Sequence, residues 1–327
     1  MRLISADDIA AAQRRLAGRV VRTPLMPCPR LGDAHGLDLW VKAENLQHTG
    51  SFKARGAMNA LLALVERAGA PAGLTAFSAG NHGMAVAWAG RTFGLPTVVC
   101  MPPHAVPAKI AAVRRYGGEV VLTEDLLGTC ETLAAERGYH LLPPYDNPDV
   151  IAGQATVGRE LLADGPPPGL VLVPVGGGGL ISGVAAALRA AASGPTGSTE
   201  PQAGPATRIV GVEPVTANAI GHALRTGEAT PPQRPRSMAD GLAAPFAGRH
   251  TLAHVRALVD EVVEVREDDI RDAWWELMDA TKLLVEPAAA VTLAALRAGL
   301  VSAAPGTRTV LVLSGGNVSP AALSTLA

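Results

Sequence analysis

The stretch LVLVPVGGGGLISGVAAALRAAA, residues 170–192, decides the fold. It joins a short apolar run, Leu170 to Val175, to an Ala-rich helical run through four consecutive glycines. A run this short that is apolar at successive positions, not at alternate ones, reads as a strand buried on both faces. The same unit recurs along the chain. LTAFS (74–78) leads through AGNHG into MAVAWAGRTFG, and PTVVCMP (96–102) leads into PHAVPAKIAAVRRYGG. TRIVGVEP (207–214) leads into VTANAIGHALRTG, and RTVLVLS (308–314) ends in GGN. Strands alternating with helices imply an α/β fold of open, mainly parallel sheets flanked by helices. In such sheets ligands gather at the carboxyl ends of the strands, where these polar turns lie.

Composition bounds what the turns could bind. The 327 residues are 48% hydrophobic and only 3% aromatic, enough for one large or two medium domains with cores of small aliphatic side chains. The net charge of -1 and the absence of a basic stripe argue against nucleic acid and favour a small neutral or zwitterionic ligand. Three widely spaced cysteines, Cys28, Cys100 and Cys130, form no CxxC pair, so a reducing, cytoplasmic setting is expected. No signal peptide and no membrane span are expected. Ser5 and Asp8 read as a capping box. The Pro/Gly/Ser/Thr-rich stretch 192–207 reads as a surface loop, and PPYDNPDV (143–150) as a crossing between two lobes.

Four turns could carry chemistry. The tetraglycine lets backbone amides and a helix N-terminus approach an anion closely, and phosphate is the usual occupant; a ligand-free tight turn is the alternative. Its spacing fits neither GxGxxG nor GxxxxGK[ST], which disfavours NAD and ATP against a monophosphate. FSAGNHGMA (77–85) offers Ser78, Asn81 and backbone amides to a carboxylate, or is merely a capped helix start. LVLSGGNVS (311–319) puts Ser314 directly after a buried strand. TGSFKARGAMNA (49–60) holds Lys53, the second of only four lysines, among small residues and one aromatic ring. Lys53 reads either as a surface charge or as a nucleophile whose pKa burial would lower.

Taken together, SFKARGAMNA, SAGNHG, VIAGQATVGREL, PVGGGGLISG, LLVEPAAA and LSGGN occur in an order and at intervals that resemble the fold-type II pyridoxal-phosphate enzymes. The resemblance is to the threonine/serine dehydratase and serine racemase family, and runs from about residue 20 to 317. It implies a tryptophan synthase β-like architecture with the cofactor between two lobes. The large lobe would be 1–68 and 147–327, and the small lobe 69–146, with boundaries good to roughly ten residues. It implies that Lys53 holds pyridoxal 5′-phosphate as a Schiff base and later serves as the base, with Phe52 beside it. Asn81 would meet the ring hydroxyl, and Ser314 the ring nitrogen. Gly176, Gly177, Gly178, Gly179 and Leu180 would cradle the phosphate. Ser78, Ala79, Gly80, Asn81 and His82 would form the substrate-carboxylate loop, with Gly241 opposite and Glu286 close to the cofactor. A homodimer or homotetramer acting on a small amino acid is implied.

Departures from the family pattern narrow the expectation. Racemases of the family carry serine where this chain has Ala79, which cannot transfer a proton, so elimination is favoured over racemisation. In the cation-activated members Glu213 is followed six residues on by an acid; here that position is Ala219. Glu213 with the Ala217 carbonyl would form a divalent or monovalent cation site short of oxygen ligands. Ten residues follow SGGN, leaving no room for a regulatory domain, as in the short catabolic members. The expected reaction is dehydration and deamination of L-threonine or L-serine to 2-oxobutanoate or pyruvate plus ammonia. The alternatives are the same elimination on 3-hydroxyaspartate, phenylserine or a hydroxyectoine-derived compound, a serine racemase activity, and a phosphate-ligand binding protein without catalysis.

Overall fold

The structure, a computed structural model, describes residues 1–192, 207–318 and Leu323. The stretch expected as a surface loop at 192–207 lies, but for its two ends, outside the described residues. Ten strands are present among them: β1 (Leu25–Pro27), β2 (Asp38–Ala43), β3 (Leu74–Phe77), β4 (Thr97–Met101), β5 (Glu119–Leu122), β6 (His140–Leu141), β7 (Leu170–Pro174), β8 (Arg208–Pro214), β9 (Glu261–Val265) and β10 (Arg308–Leu313). They form a six-stranded sheet ordered β1-β2-β10-β7-β8-β9 and a four-stranded sheet ordered β5-β4-β3-β6. Every pairing is parallel except β1 with β2.

The apolar runs are buried on both faces, as their composition requires. Leu170 and Leu172 of β7 and Leu311 and Leu313 of β10 enter one core, against helices Glu267–Thr281 and Pro287–Arg297. Their neighbours Val171, Val173, Val310 and Val312 enter the core on the other face, under helix Gly179–Ala192. This alternation across the sheet is the two-residue period of a strand. Five strands escape a reading of apolar runs. β2 carries Lys42, fully buried, β5 starts on Glu119 and is partly exposed, and β9 carries Glu261 and Glu264 and is partly exposed.

Helix Lys53–Ala68 packs against both helix Pro148–Ala163 and helix Asn81–Thr92, and Ala54 to Ala63 are buried on every side. The crossing with Pro148–Ala163 is very close. A Cβ at Gly153 would stand 2.7 Å from the Gly56 Cα and from the Arg55 carbonyl oxygen, so only glycine permits it. Trp274 and Leu277 of helix Glu267–Thr281 lie in the core, the Trp274 indole donating to the Val285 carbonyl at 2.6 Å. Ser5 and Asp8 form a reciprocal capping box.

Candidate active site

The carboxyl ends of β3, β7 and β10 converge on one cavity. Its wall brings together Phe52, Lys53, Asn81, Gly176, Gly177, Gly178, Gly179, Leu180, Gly241, Glu286 and Ser314. Ser78, Ala79, Gly80 and His82 are not in this wall; they form the turn that delivers Asn81 to it.

Lys53 is held by two adjoining loops. Upstream, Thr49 (φ 60°) and Gly50 (φ 71°) turn the chain through the left-handed region. For a β-branched residue that conformation is strained, and such strain collects at functional sites. The Asn317 amide donates to the Thr49 carbonyl at 2.7 Å, Gly316 N–H to the Gly50 carbonyl at 2.9 Å, and Phe52 N–H to the Ser314 carbonyl at 3.1 Å. The loop after β10 thus stitches the Lys53 turn in place and sets Ser314 beside it. Lys53 Nζ lies 5.1 Å from the centre of the Phe52 ring and donates to the Pro144 carbonyl at 2.7 Å. Burial draws its ammonium down to about 8, and the charge of Glu286 only partly offsets this.

The segment PPYDN, expected as a crossing, fixes several parts of the site. Pro144 receives Lys53. The Tyr145 ring backs the tetraglycine and its hydroxyl donates to the Phe246 carbonyl at 3.0 Å. Asp146 accepts from the amides of Arg249, His250 and Thr251, capping helix Arg249–Leu258. Asn147 caps helix Pro148–Ala163 through the Asp149 and Val150 amides.

The tetraglycine opens helix Gly179–Ala192, whose first amides have no intrahelical partner. A Cβ at Gly176 would stand 2.9 Å from the Leu242 Cα, one at Gly177 would lie 2.3 Å from the Tyr145 ring, and Gly178 has φ +83°. The loop is a bare backbone surface with no room for side chains. Among the described residues Lys53 is the only cationic side chain in the cavity wall. The donors offered to an anion are therefore amides, a fit for one phosphate.

Asn81 sits in a chain of amides. Its Nδ2 donates to Glu286 Oε1 at 2.6 Å, and its Oδ1 accepts from Asn317 Nδ2 at 2.9 Å. Glu286 Oε2 is buried without a partner, an orphan expected where a ligand or water completes the set. Burial raises the Glu286 carboxyl to about 7; Lys109, Asn81 and Lys53 pull against that and Asp240 adds to it. His82 is buried, faces the Leu142 carbonyl at 2.8 Å through Nε2, and is lowered to about 3 by burial and by Lys53. It stays neutral, with Nε2 carrying the proton.

Glu213 and Ala217 lie elsewhere. Both Glu213 oxygens accept backbone amides, from Ile220 at 3.0 Å and Gly221 at 2.7 Å. That occupies a carboxylate a cation would need, and among the described residues no three His, Cys, Asp or Glu side chains cluster as ligands. Sequence reasoning missed Tyr145 and Leu242 in the cavity wall, the amide of Asn317, and Lys109, which pairs with Asp240 at 2.5 Å behind Gly80. Only the asparagine of SGGN carried a local signal.

The profile of the family described as "Pyridoxal-phosphate dependent enzyme" matches residues 4–315. The chain is 40% identical to an L-threonine ammonia-lyase of Geobacter sulfurreducens over 320 residues, covering 97% of this chain and 76% of that one. It is 38% identical to an L-threo-3-hydroxyaspartate ammonia-lyase of a Pseudomonas species, covering 97% of each. The crystal structure of a threonine deaminase from T.th. superposes with a TM-score of 0.86 at 40% identity, covering 97% of this chain and 99% of that one.

Proposed function

This chain belongs to the family of pyridoxal-phosphate dependent enzymes, and on that premise we propose that the cavity around Lys53 holds the cofactor of an ammonia-lyase for β-hydroxy amino acids. The substrate is L-threonine, L-serine or both, converted to 2-oxobutanoate or pyruvate plus ammonia. The observation that carries this reading is the convergence of Lys53, Asn81, the tetraglycine and Ser314 on one cavity.

Pyridoxal phosphate, when bound, supplies an electron sink that makes a Cα–H bond breakable. The other tasks fall to the chain. Lys53 would hold the cofactor and, as a free amine, take the proton from the substrate Cα at Nζ. With burial drawing it to about 8, a useful fraction is neutral near neutral pH, where an exposed lysine would have almost none. The tetraglycine amides would grip the phosphate. The second N–H of Asn81 would face the ring hydroxyl, and Ser314, a neutral hydroxyl, the ring nitrogen without imposing a proton on it. The Ser78–His82 turn would take the substrate carboxylate on its amides, with His82 as scaffold. Ala79 offers no second proton-transfer group, which favours elimination. No step is assigned to a cation.

A second reading keeps the reaction and changes the substrate. An outer cavity beside the site is lined by Lys109, paired with Asp240, and by Arg115, which forms no ion pair among the described residues. A β-carboxylate such as that of 3-hydroxyaspartate would find a cation there. Initial rates of 2-oxo acid release from L-threonine, L-serine and L-threo-3-hydroxyaspartate decide between them. Turnover of the first two supports the main reading, dominance of the third supports the second, and turnover of none contradicts both.

The proposal extends to the lobes, 69–146 against the remainder, supported by the four-stranded sheet falling within residues 74–141. A homodimer or homotetramer in the cytoplasm is proposed on the family membership and on three free cysteines. Among the described residues no helix is long and apolar enough to cross a membrane. Gly177→Ala tests the phosphate cradle. Its Cβ must displace the Tyr145 ring, so cofactor affinity measured by dialysis should fall about tenfold or more, the loss of at least one charge-assisted hydrogen bond.

A further inference from the structure

Glu286 is the one side chain shared by the walls of the inner cavity and of the outer cavity bordered by Met84, Lys109, Met238 and Asp240. It is 3% exposed. Oε1 accepts from Asn81, Oε2 has no partner, and among the described residues the carboxyl forms no ion pair. The cations around it are committed elsewhere: Lys53 donates to the Pro144 carbonyl and Lys109 to Asp240. A buried carboxylate without a paired cation is strongly disfavoured, whereas the neutral acid needs only hydrogen-bond partners.

We propose that Glu286 is a positioning residue that works as a neutral carboxylic acid, its Oε1 accepting from Asn81 and its proton carried on Oε2, the oxygen that meets no other group of the protein. With Asn317 on the other side of Asn81, it fixes which way the Asn81 amide faces. One Asn81 N–H is committed to Glu286 and the second stays free for a ligand. The charged groups facing Glu286 are Lys53 and Lys109, each at a helix, and Asp240 in the turn before Gly241. The lysines favour the ionised form, Asp240 opposes it, and burial opposes it most. The proposal rests on the reading of the inner cavity as the pyridoxal-phosphate site.

The test uses the cofactor-loaded wild type and the variants Glu286→Gln, Glu286→Ala and Asn317→Ala. The readouts are the pyridoxal phosphate dissociation constant and the visible absorption between pH 6 and 9. Glutamine has the shape and neutrality of the protonated acid. It should keep the dissociation constant within about threefold and abolish the absorption change expected of the wild type near neutral pH, where Glu286 would ionise. Glu286→Ala and Asn317→Ala should each weaken binding about tenfold, the scale of one lost buried hydrogen bond. If Glu286→Ala does not fold, the other two variants decide. Glu286→Gln behaving like a loss of binding, or retaining the near-neutral absorption change, overturns the proposal. A wild type that takes up no cofactor overturns the site reading itself, and this proposal with it.

Discussion

Replacing Lys53 with alanine is expected to lower 2-oxo acid formation from L-threonine by on the order of 10³-fold or more, because anchor and base are lost together. The same change should barely alter thermal stability. Lys53 makes one hydrogen bond, to the Pro144 carbonyl, and its ammonium is disfavoured by burial. Alanine is also the better residue at the start of a helix of this composition. Lys53→Arg separates charge from chemistry. It keeps the cation but cannot release a proton near neutral pH, so it should be as inactive as the alanine variant. Initial rates paired with a circular dichroism melt check both halves. A Lys53→Ala rate within tenfold of the wild type would remove the base from the account.

Replacing Arg55 with alanine is expected to cost the most stability, about 3–5 kcal/mol, the usual scale for breaking a buried ion pair on one side. Two residues after Lys53, Arg55 is wholly buried and grips two carboxylates. Its Nε and Nη2 reach both Glu44 oxygens at 2.8 Å, while Nη1 and Nη2 reach Glu160 at 2.6 and 2.9 Å. Lys42, also buried, closes the network by donating to Glu160 and to the Thr23 carbonyl. Burial alone would push the Glu44 carboxyl up, but Arg55, the charge of Lys42 and the Thr23 hydroxyl together outweigh it and hold Glu44 below its ordinary value. In linkage terms this is stability that is present above the unfolded pKa of Glu44 and is lost as pH falls through the lowered folded value. The alanine variant leaves Glu44 buried at neutral pH without its guanidinium partner, with only the Thr23 hydroxyl and the charge of Lys42 to favour the ionised form. Urea unfolding of both proteins at pH 7 and pH 4 gives the difference, which should shrink at the lower pH. Joint replacement of Arg55 and Glu44 by apolar residues should recover much of the loss. A single-variant cost under 1 kcal/mol would contradict the network's role in seating the Lys53 helix.

The sequence was most legible where composition and geometry say the same thing. Apolar runs ending in glycine or serine became β3, β4, β7, β8 and β10, and the turns after β3, β7 and β10 became the cavity. Strands whose side chains are partly charged, such as β2 with Lys42 and β9 with Glu261 and Glu264, gave no apolar run to read. The four-glycine turn announced a close backbone approach, but not that Tyr145 and Leu242 crowd it from segments far away in the chain. Lys53 stood out by its rarity and its neighbours, whereas Arg55 gave no sign of the buried network around it, because ion pairing depends on contacts over about 100 residues of chain. The same limit hid the pairing of Asn81 with Glu286 and Asn317, whose partners lie more than 200 residues apart in sequence.

The central claim is that Lys53, in this cavity, carries the cofactor. The most direct measurement is borohydride reduction of the protein loaded with pyridoxal phosphate, followed by proteolysis and mass mapping of the modified peptide. With only four lysines in the chain, Lys42, Lys53, Lys109 and Lys282, the result is unambiguous. One pyridoxyl group is expected, on the peptide that contains Lys53. A pyridoxyl group on another lysine, or none in protein saturated with the cofactor, would contradict it.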